Sequence, residues 1–78
     1  MTRVPPGKRA RVEAVQGGRA VVGRLAALGI IPGTVVTVLS NAGIGPVILE
    51  ARGSRLALGR GQAARIIVRV IAEEGSGW

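Results

Sequence analysis

Residues 25–38, LAALGIIPGTVVTV, decide the fold of this chain, because within them a helix ends, the chain turns and a strand begins. Val21, Leu25 and Leu28 follow one another at helical spacing, which predicts that they form one buried helix face. Gly29 comes next and suits the left-handed conformation that closes helices. We therefore expect the helix to end at Leu28.

The next residues predict a turn and then a strand. Ile30 occupies the position whose side chain packs back on Leu25 in a glycine-capped helix. Pro32-Gly33 suits the centre of a type II turn, since glycine adopts a positive φ without strain. Thr34–Leu39 then alternates as a strand. Two of its valines are expected to face the same way, Val36 and Val38.

Alternation and turn residues predict the remaining elements outward from this stretch. Before it we expect a strand Arg9–Val15, with Ala10, Val12 and Ala14 on one side, and a helix at about Arg19–Leu28. After it we expect a hairpin Pro46–Leu58 with a turn at Gly53-Ser54, in which Val47, Leu49 and Ala51 face the core. A helical turn Gly59–Arg65 and a strand Ile66–Ile71 follow, with Ile66, Val68 and Val70 on one face of the strand.

These elements predict the fold class. A mainly β, partly closed SH3-like barrel accommodates five short strands, one short helix between the first and second strands, and a helical turn before the last. We expect a single domain over residues 1–78, with its core at about residues 4–71 and a flexible tail at 72–78.

The composition excludes most enzyme mechanisms. The 78 residues contain no Cys and no His, and the acidic residues are four Glu. Thiol nucleophiles, Ser-His triads and soft-ligand metal sites are therefore missing from the sequence, and the glycine spacing fits no phosphate-binding loop. We expect no catalytic residue, no resident metal and no cofactor.

An uncharged stretch, residues 25–49, is long enough to span a bilayer. However, Pro32-Gly33, the segment 40–43 and Gly45-Pro46 divide it into strand-length pieces, whereas a spanning helix needs continuous backbone hydrogen bonds. Residues 1–7 contain no apolar core of a signal peptide. We therefore expect a cytoplasmic protein.

The charge favours an acidic partner. Ten Arg and one Lys against four Glu give a net charge of +7, which suits nucleic acid, anionic lipid or an acidic protein surface. Single-stranded nucleic acids are usually bound by stacking on aromatic rings, and Trp78 is the one aromatic residue of the sequence. We therefore expect no nucleic-acid partner, and a small nucleic-acid-binding barrel remains the alternative.

The order of the turn and strand motifs is informative in itself. The motifs are Pro6-Gly7, Arg24-Leu25-Ala26-Ala27-Leu28-Gly29, Pro32-Gly33-Thr34, Val36-Thr37-Val38, Pro46, Gly53, Ala57-Leu58, Ala63 and Ile66-Ile67-Val68. Over roughly residues 4–70 this order resembles the FeoA family, small cytosolic proteins that accompany the bacterial ferrous iron transporter FeoB. Two positions depart from the family pattern: Ile44-Gly45-Pro46 stands where Gly-Asp-Pro is frequent, and Ser54 stands where an aromatic residue is frequent.

The resemblance implies an SH3-like fold, no enzymatic activity, and an accessory role in ferrous iron uptake through contact with the cytosolic part of FeoB, near the membrane but not inserted. It also implies a family-level link to transition metal ions, for which this sequence offers few ligands. Self-association stays open. The same module forms the C-terminal domain of iron-dependent repressors of the DtxR type, whose DNA-binding and dimerisation parts these 78 residues do not contain.

For the contact with the transporter we expect apolar side chains near solvent at the helix end and in the loop 40–45, surrounded by basic residues. The apolar candidates are Ile30, Ile31, Val35 and Ile44, and the steering residues are Arg24, Arg52 and Arg55. In an alternative interpretation, Ile30 is only the helix-cap contact and Ile44 plugs one end of the barrel.

Overall fold

The computed structural model describes residues 1–71, which form five antiparallel strands and two short helices. In chain order they are β1 Arg9–Val15, α1 Arg19–Ala27, β2 Val35–Ser40, β3 Val47–Ala51, β4 Ser54–Leu58, α2 Arg60–Ala63 and β5 Ile66–Val70. The predicted strand count and the positions of both helices are confirmed. The predicted flexible tail, 72–78, lies outside the described residues.

The strands form one sheet in the order β4-β3-β2-β1-β5. Every neighbouring pair is antiparallel, so β1 lies between β2 and β5 and joins the beginning of the chain to its last strand. The inward face of the sheet carries most of the buried core, with α1 contributing Leu25 and α2 contributing Ala63. The buried strand residues are Ala10, Val12, Val36, Val38, Val47, Leu49, Ala51, Leu58 and Ile66. None of the helices in residues 1–71 has the length and apolar character needed to cross a membrane.

The prediction for the inward face of β1 is wrong at the end of that strand. Ala14 was expected on the same side as Ala10 and Val12, but it is exposed. The pairing of β1 with β5 shifts between Val12 and Ala14, which leaves Glu13 as an extra residue in β1. Such a bulge reverses the alternation beyond it, and the next residue of β1 packs on the core instead.

Ile66, Val68 and Val70 lie on one face of β5, as predicted, but that face is not buried along its whole length. Ile66 is fully buried and Val68 packs on the core. Val70 lies opposite the buried Ala10, yet it is 48% exposed. Val70 is the last residue of β5, an edge strand of the sheet, so the core covers the start of this face at Ile66 but not its end.

Candidate protein-docking surface

The end of α1 is closed by the cap that the sequence predicts. The N–H of Gly29 donates to the carbonyl of Ala26 at 2.9 Å, and the N–H of Ile30 donates to the carbonyl of Leu25 at 2.9 Å. With Gly29 at a φ of 90°, these two bonds form a Schellman motif. The carbonyl groups left over at the helix end therefore have partners.

The cap decides which apolar residues lie inside. Leu25 and Ile30 are almost completely buried, whereas Leu28 is 43% exposed. The prediction that Leu28 shares the buried helix face is wrong, because the chain turns away at Gly29 and leaves that side chain outside. The expectation that Ile30 lies near solvent is also wrong, because Ile30 packs in the core as the cap contact.

Thr34 fixes the turn that follows. Its hydroxyl donates to the carbonyl of Gly29 at 3.0 Å, and its N–H donates to the carbonyl of Ile31 at 3.0 Å. Gly33 has a φ of 96°, so residues 31–34 form the predicted type II turn. Strand β2 then begins at Val35, one residue later than predicted. The buried hydroxyl of Thr34, which sequence reasoning did not single out, thus ties the turn to the helix cap.

The turn between β3 and β4 lies beside this cap. Ala51 pairs with Ser54, so the turn residues are Arg52 and Gly53, one position earlier than predicted. Their φ values are 54° and 82°, which is the pattern of a type I′ hairpin. Arg52 is the one non-glycine residue of the described chain with a positive φ.

The side chain of Arg52 reaches the helix end. A Cβ atom built on Gly29 would lie 3.8 Å from Cδ of Arg52. Arg24 occupies the last turn of α1. Two arginines therefore lie at the helix C-terminus, where the partial negative charge of the helix dipole favours cations.

We call this region the cap surface and define it by Arg24, Leu28, Ile31, Val35, Arg52 and Arg55. Its aliphatic members are 38–43% exposed. Because Ala51 pairs with Val36, the turn that contains Arg52 begins next to the start of β2 at Val35. Arg55 on β4 pairs with Glu50 on β3, and both side chains are exposed. β4 is separated from β2 by β3. The structure therefore places Arg24 and Arg52 at the end of the helix that precedes Ile31, whereas Arg55 lies further away, on β4.

Two further arginines, which sequence reasoning did not assign to the site, extend the basic character across the sheet. Arg11 lies opposite Val35 on β2 and opposite Arg69 on β5. Glu13 Oε2 pairs with Arg69 Nε at 2.9 Å. The register that places Arg11 beside the cap surface depends on strand pairing, which local alternation does not reveal.

Ile44 does not belong to the cap surface. It follows β2 at the end opposite to Ile31 and is 84% exposed. The alternative in which Ile44 plugs the barrel is also wrong, because this exposure leaves the side chain in solvent. The predicted site is thus divided into two separate regions.

The loop that carries Ile44 is held at its base by Arg60. Its Nη2 donates to Oδ1 of Asn41 at 2.9 Å, and its Nη1 donates to the carbonyl of Gly45 at 3.3 Å. Asn41 Nδ2 in turn donates to the carbonyls of Thr2 at 2.8 Å and Val4 at 3.0 Å. This network joins the N-terminal residues, the loop and α2. Sequence reasoning missed it, because it depends on side chains distant in sequence.

The described residues offer little for catalysis or metal binding. No group of three Asp, Glu, His or Cys side chains comes together within residues 1–71. Burial lowers the pKa of the Met1 ammonium, which donates to the carbonyl of Ile66 at 2.8 Å. What the geometry offers is a half-apolar, strongly basic surface suited to docking an acidic partner.

The chain is similar to known proteins of one domain family. The model of the FeoA domain matches residues 1–70. A Methanocaldococcus jannaschii protein provisionally named Fe(2+) transport protein A is 37% identical over 62 residues, which cover 80% of this chain and 74% of that protein.

Two solved structures share the fold. The crystal structure of an iron uptake regulatory protein, FeoA, is 33% identical with a TM-score of 0.82, covering 90% of this chain and 92% of that one. FeoA of Stenotrophomonas maltophilia, described as a prokaryotic SH3 domain protein in complex with zinc, is 29% identical with a TM-score of 0.77 and covers 87% of this chain and 86% of that one. The SH3-like fold is therefore confirmed.

A third solved structure shares the fold as well. IdeR of T. acidophilum gives a TM-score of 0.82 at 24% identity, with 91% of this chain but only 33% of that chain covered. At this identity the likeness is one of fold.

Proposed function

Because this chain belongs to the FeoA domain family, whose members include Fe(2+) transport proteins, we propose that it is a non-enzymatic accessory protein of ferrous iron uptake. It acts in the cytoplasm by docking on the cytosolic part of a FeoB-type transporter. The observation that carries the proposal is the cap surface, where exposed aliphatic side chains lie among arginines on a rigid helix cap.

The cap surface has the composition of an interface centre. Leu28, Ile31 and Val35 are each 38–43% exposed, and hydrophobic groups left in solvent near one another favour a partner that covers them. The Schellman cap and the type II turn fix the backbone around them. Little conformational entropy is therefore lost on binding.

Charge supplies the orientation. Arg24 and Arg52 lie at the helix end beside the aliphatic centre, Arg11 lies opposite Val35, and Arg55 adds a positive charge on β4. Such a surface accelerates encounter with an acidic one and rejects basic ones. We therefore assign the docking site on the transporter to an acidic surface with an apolar centre.

The test measures association with the cytosolic domain of the cognate transporter. Ile31→Ser removes an aliphatic contact, so we expect faster dissociation and roughly tenfold weaker binding, the size of a modest interface hot spot. Arg52→Glu reverses a steering charge, so we expect slower association with a smaller dependence on salt.

Each variant has a matched control. Val22→Ser removes a helix side chain of similar exposure, 40%, outside the cap surface. Arg19→Glu makes the same charge change at the opposite end of α1. If both controls bind as weakly as the test variants, or if all four bind like the wild type, the cap surface is not the docking site.

A gel shift with mixed RNA and DNA at several salt concentrations distinguishes docking on a transporter from the alternative function, nucleic-acid binding. A nucleic-acid-binding barrel predicts tight, salt-dependent shifts that Ile31→Ser leaves unchanged. Docking on a transporter predicts binding to its cytosolic domain in the same salt range without such shifts.

A further inference from the structure

The loop between β2 and β3 presents an isoleucine that neither the core nor the cap surface uses. Ile44 is 84% exposed, whereas the next most exposed large hydrophobic residue among residues 1–71, Val70, reaches 48%. Gly43 and Gly45 flank it with φ values of 91° and 76°. A Cβ atom at either glycine would meet nothing within 4 Å, so the tip projects clear of the protein.

The base of this loop is anchored. Arg60 donates hydrogen bonds both to Asn41 before the tip and to Gly45 after it. Asn41 is bound in turn to the carbonyls of Thr2 and Val4, and Val4 is buried. Hydrogen bonds therefore hold the loop that carries Ile44 at both of its ends.

Basic residues adjoin the loop. Arg3 lies exposed between the two residues that Asn41 binds, and Arg60 itself holds the loop. Lys8 is exposed next to Gly7, whose N–H donates to the carbonyl of Val38 near the end of β2. The two glutamates of the described chain lie elsewhere, Glu13 beside Arg69 and Glu50 opposite Arg55.

From this arrangement we propose that the loop 41–46 is a peripheral membrane contact, in which Ile44 enters the surface of an anionic phospholipid bilayer while Arg3 and Lys8 face the headgroups. A protein interface requires a broad contact of about 800 Å² per partner, whereas this loop offers one protruding side chain. A bilayer surface accepts a single aliphatic tip, and anionic headgroups attract the basic residues around it.

The first test is sedimentation of the purified protein with vesicles. Binding is expected to vesicles of phosphatidylcholine and phosphatidylglycerol in equal proportion, to weaken as salt is raised, and to be much weaker to pure phosphatidylcholine. Ile44→Ser is expected to reduce binding about tenfold, the order for withdrawing one aliphatic side chain from an apolar phase. The matched control Val22→Ser, at an exposed helix position, is expected to bind like the wild type.

The second test measures the depth of the loop directly. The sequence contains no Cys, so Ile44→Cys and Val22→Cys each give one site for an environment-sensitive fluorophore. The label at position 44 is expected to shift to the blue with anionic vesicles, and the label at position 22 is not.

Three results would overturn the proposal: equal vesicle binding by Ile44→Ser and wild type, equal binding to neutral and anionic vesicles, or a label at position 44 that shifts only with the transporter's cytosolic domain. The last result would make the loop a protein contact. Ile31→Ser separates this proposal from the proposed function, because it is expected to weaken transporter binding and leave vesicle binding intact.

Discussion

The N–H of Ile30 donates to the carbonyl of Leu25 at 2.9 Å, and the two side chains are 1% and 0% exposed. Leu25 is the one buried residue of α1, so this pair fastens the helix to the sheet. We expect Leu25→Ala to lower the free energy of unfolding by about 2–5 kcal/mol, which is much of the stability of so small a domain. Leu28→Ala is the control, with an expected change within about 0.5 kcal/mol. Urea midpoints compare them, and equal losses would contradict the burial pattern.

Two glycines of the helix region are expected to respond oppositely to alanine. Gly29 has a φ of 90°, so Gly29→Ala should destabilise the protein by about 1–2 kcal/mol. Gly23 lies inside α1, where an added Cβ atom would meet nothing within 4 Å, so Gly23→Ala should stabilise it by about 0.5–1 kcal/mol. Thermal unfolding of the two variants measures both signs. A loss of stability in Gly23→Ala would mean that the helix is packed more closely than described.

Substitution of Arg52 by Asn is expected to raise the stability of the protein while weakening its binding to the transporter. Asn tolerates a positive φ better than Arg and forms, with Gly53, the preferred dipeptide of a type I′ turn. Arg52→Asn should therefore raise the free energy of unfolding by up to about 1 kcal/mol. On the proposed function, the same variant binds the transporter's cytosolic domain more weakly. Higher stability with unchanged affinity would remove Arg52 from the docking site.

The Arg60 network should control local opening of the loop. Arg60→Ala removes the hydrogen bonds to Asn41 and Gly45, with an expected loss of about 1–3 kcal/mol because Asn41 loses a partner. Amide hydrogen exchange is expected to become faster in residues 2–4 and 41–46 before it changes in β1. Arg65→Ala provides the comparison at another basic position. Uniform acceleration over the whole chain would show a global rather than a local effect.

Tight metal binding by this chain alone is not expected. The sequence offers no His, no Cys and only four carboxylates, while high-affinity sites for Zn²⁺ or Fe²⁺ need several such ligands. Calorimetry with each metal provides the measurement. A stoichiometric site of sub-micromolar affinity in the monomer would contradict this prediction.

Local chemistry made some features predictable and others not. The cap at Gly29, the turn at Gly33 and the inward valines of β2 follow from neighbouring residues, and all three were predicted. Leu28 was misplaced because helical spacing cannot show that the Schellman cap turns the chain away before that side chain reaches the core. The hairpin turn was placed one residue late because Arg rarely adopts the positive φ found at Arg52.

The candidate site was harder to predict than the fold. Strand register decides where Arg52 and Arg55 lie relative to Val35, and Ile44 is separated from Ile31 by the length of β2. Glu13 shows the same limit, because nothing in its neighbours marks the bulge that turns Ala14 outward. All of these positions depend on how distant strands pair, and the sequence of one strand alone does not specify that pairing.

The position of β1 between β2 and β5 bears on how the protein forms during synthesis. The pairs of β2 with β3 and of β3 with β4 are local, so they can form as soon as those residues leave the ribosome. One edge of β1 has no partner until β5, Ile66–Val70, has been made. A growing chain that ends before Ile66 therefore leaves the backbone N–H and C=O groups along one edge of β1 unpaired, and such an edge can pair with another chain. Completion of the last strand, rather than closure of the hairpins, should set the rate of folding.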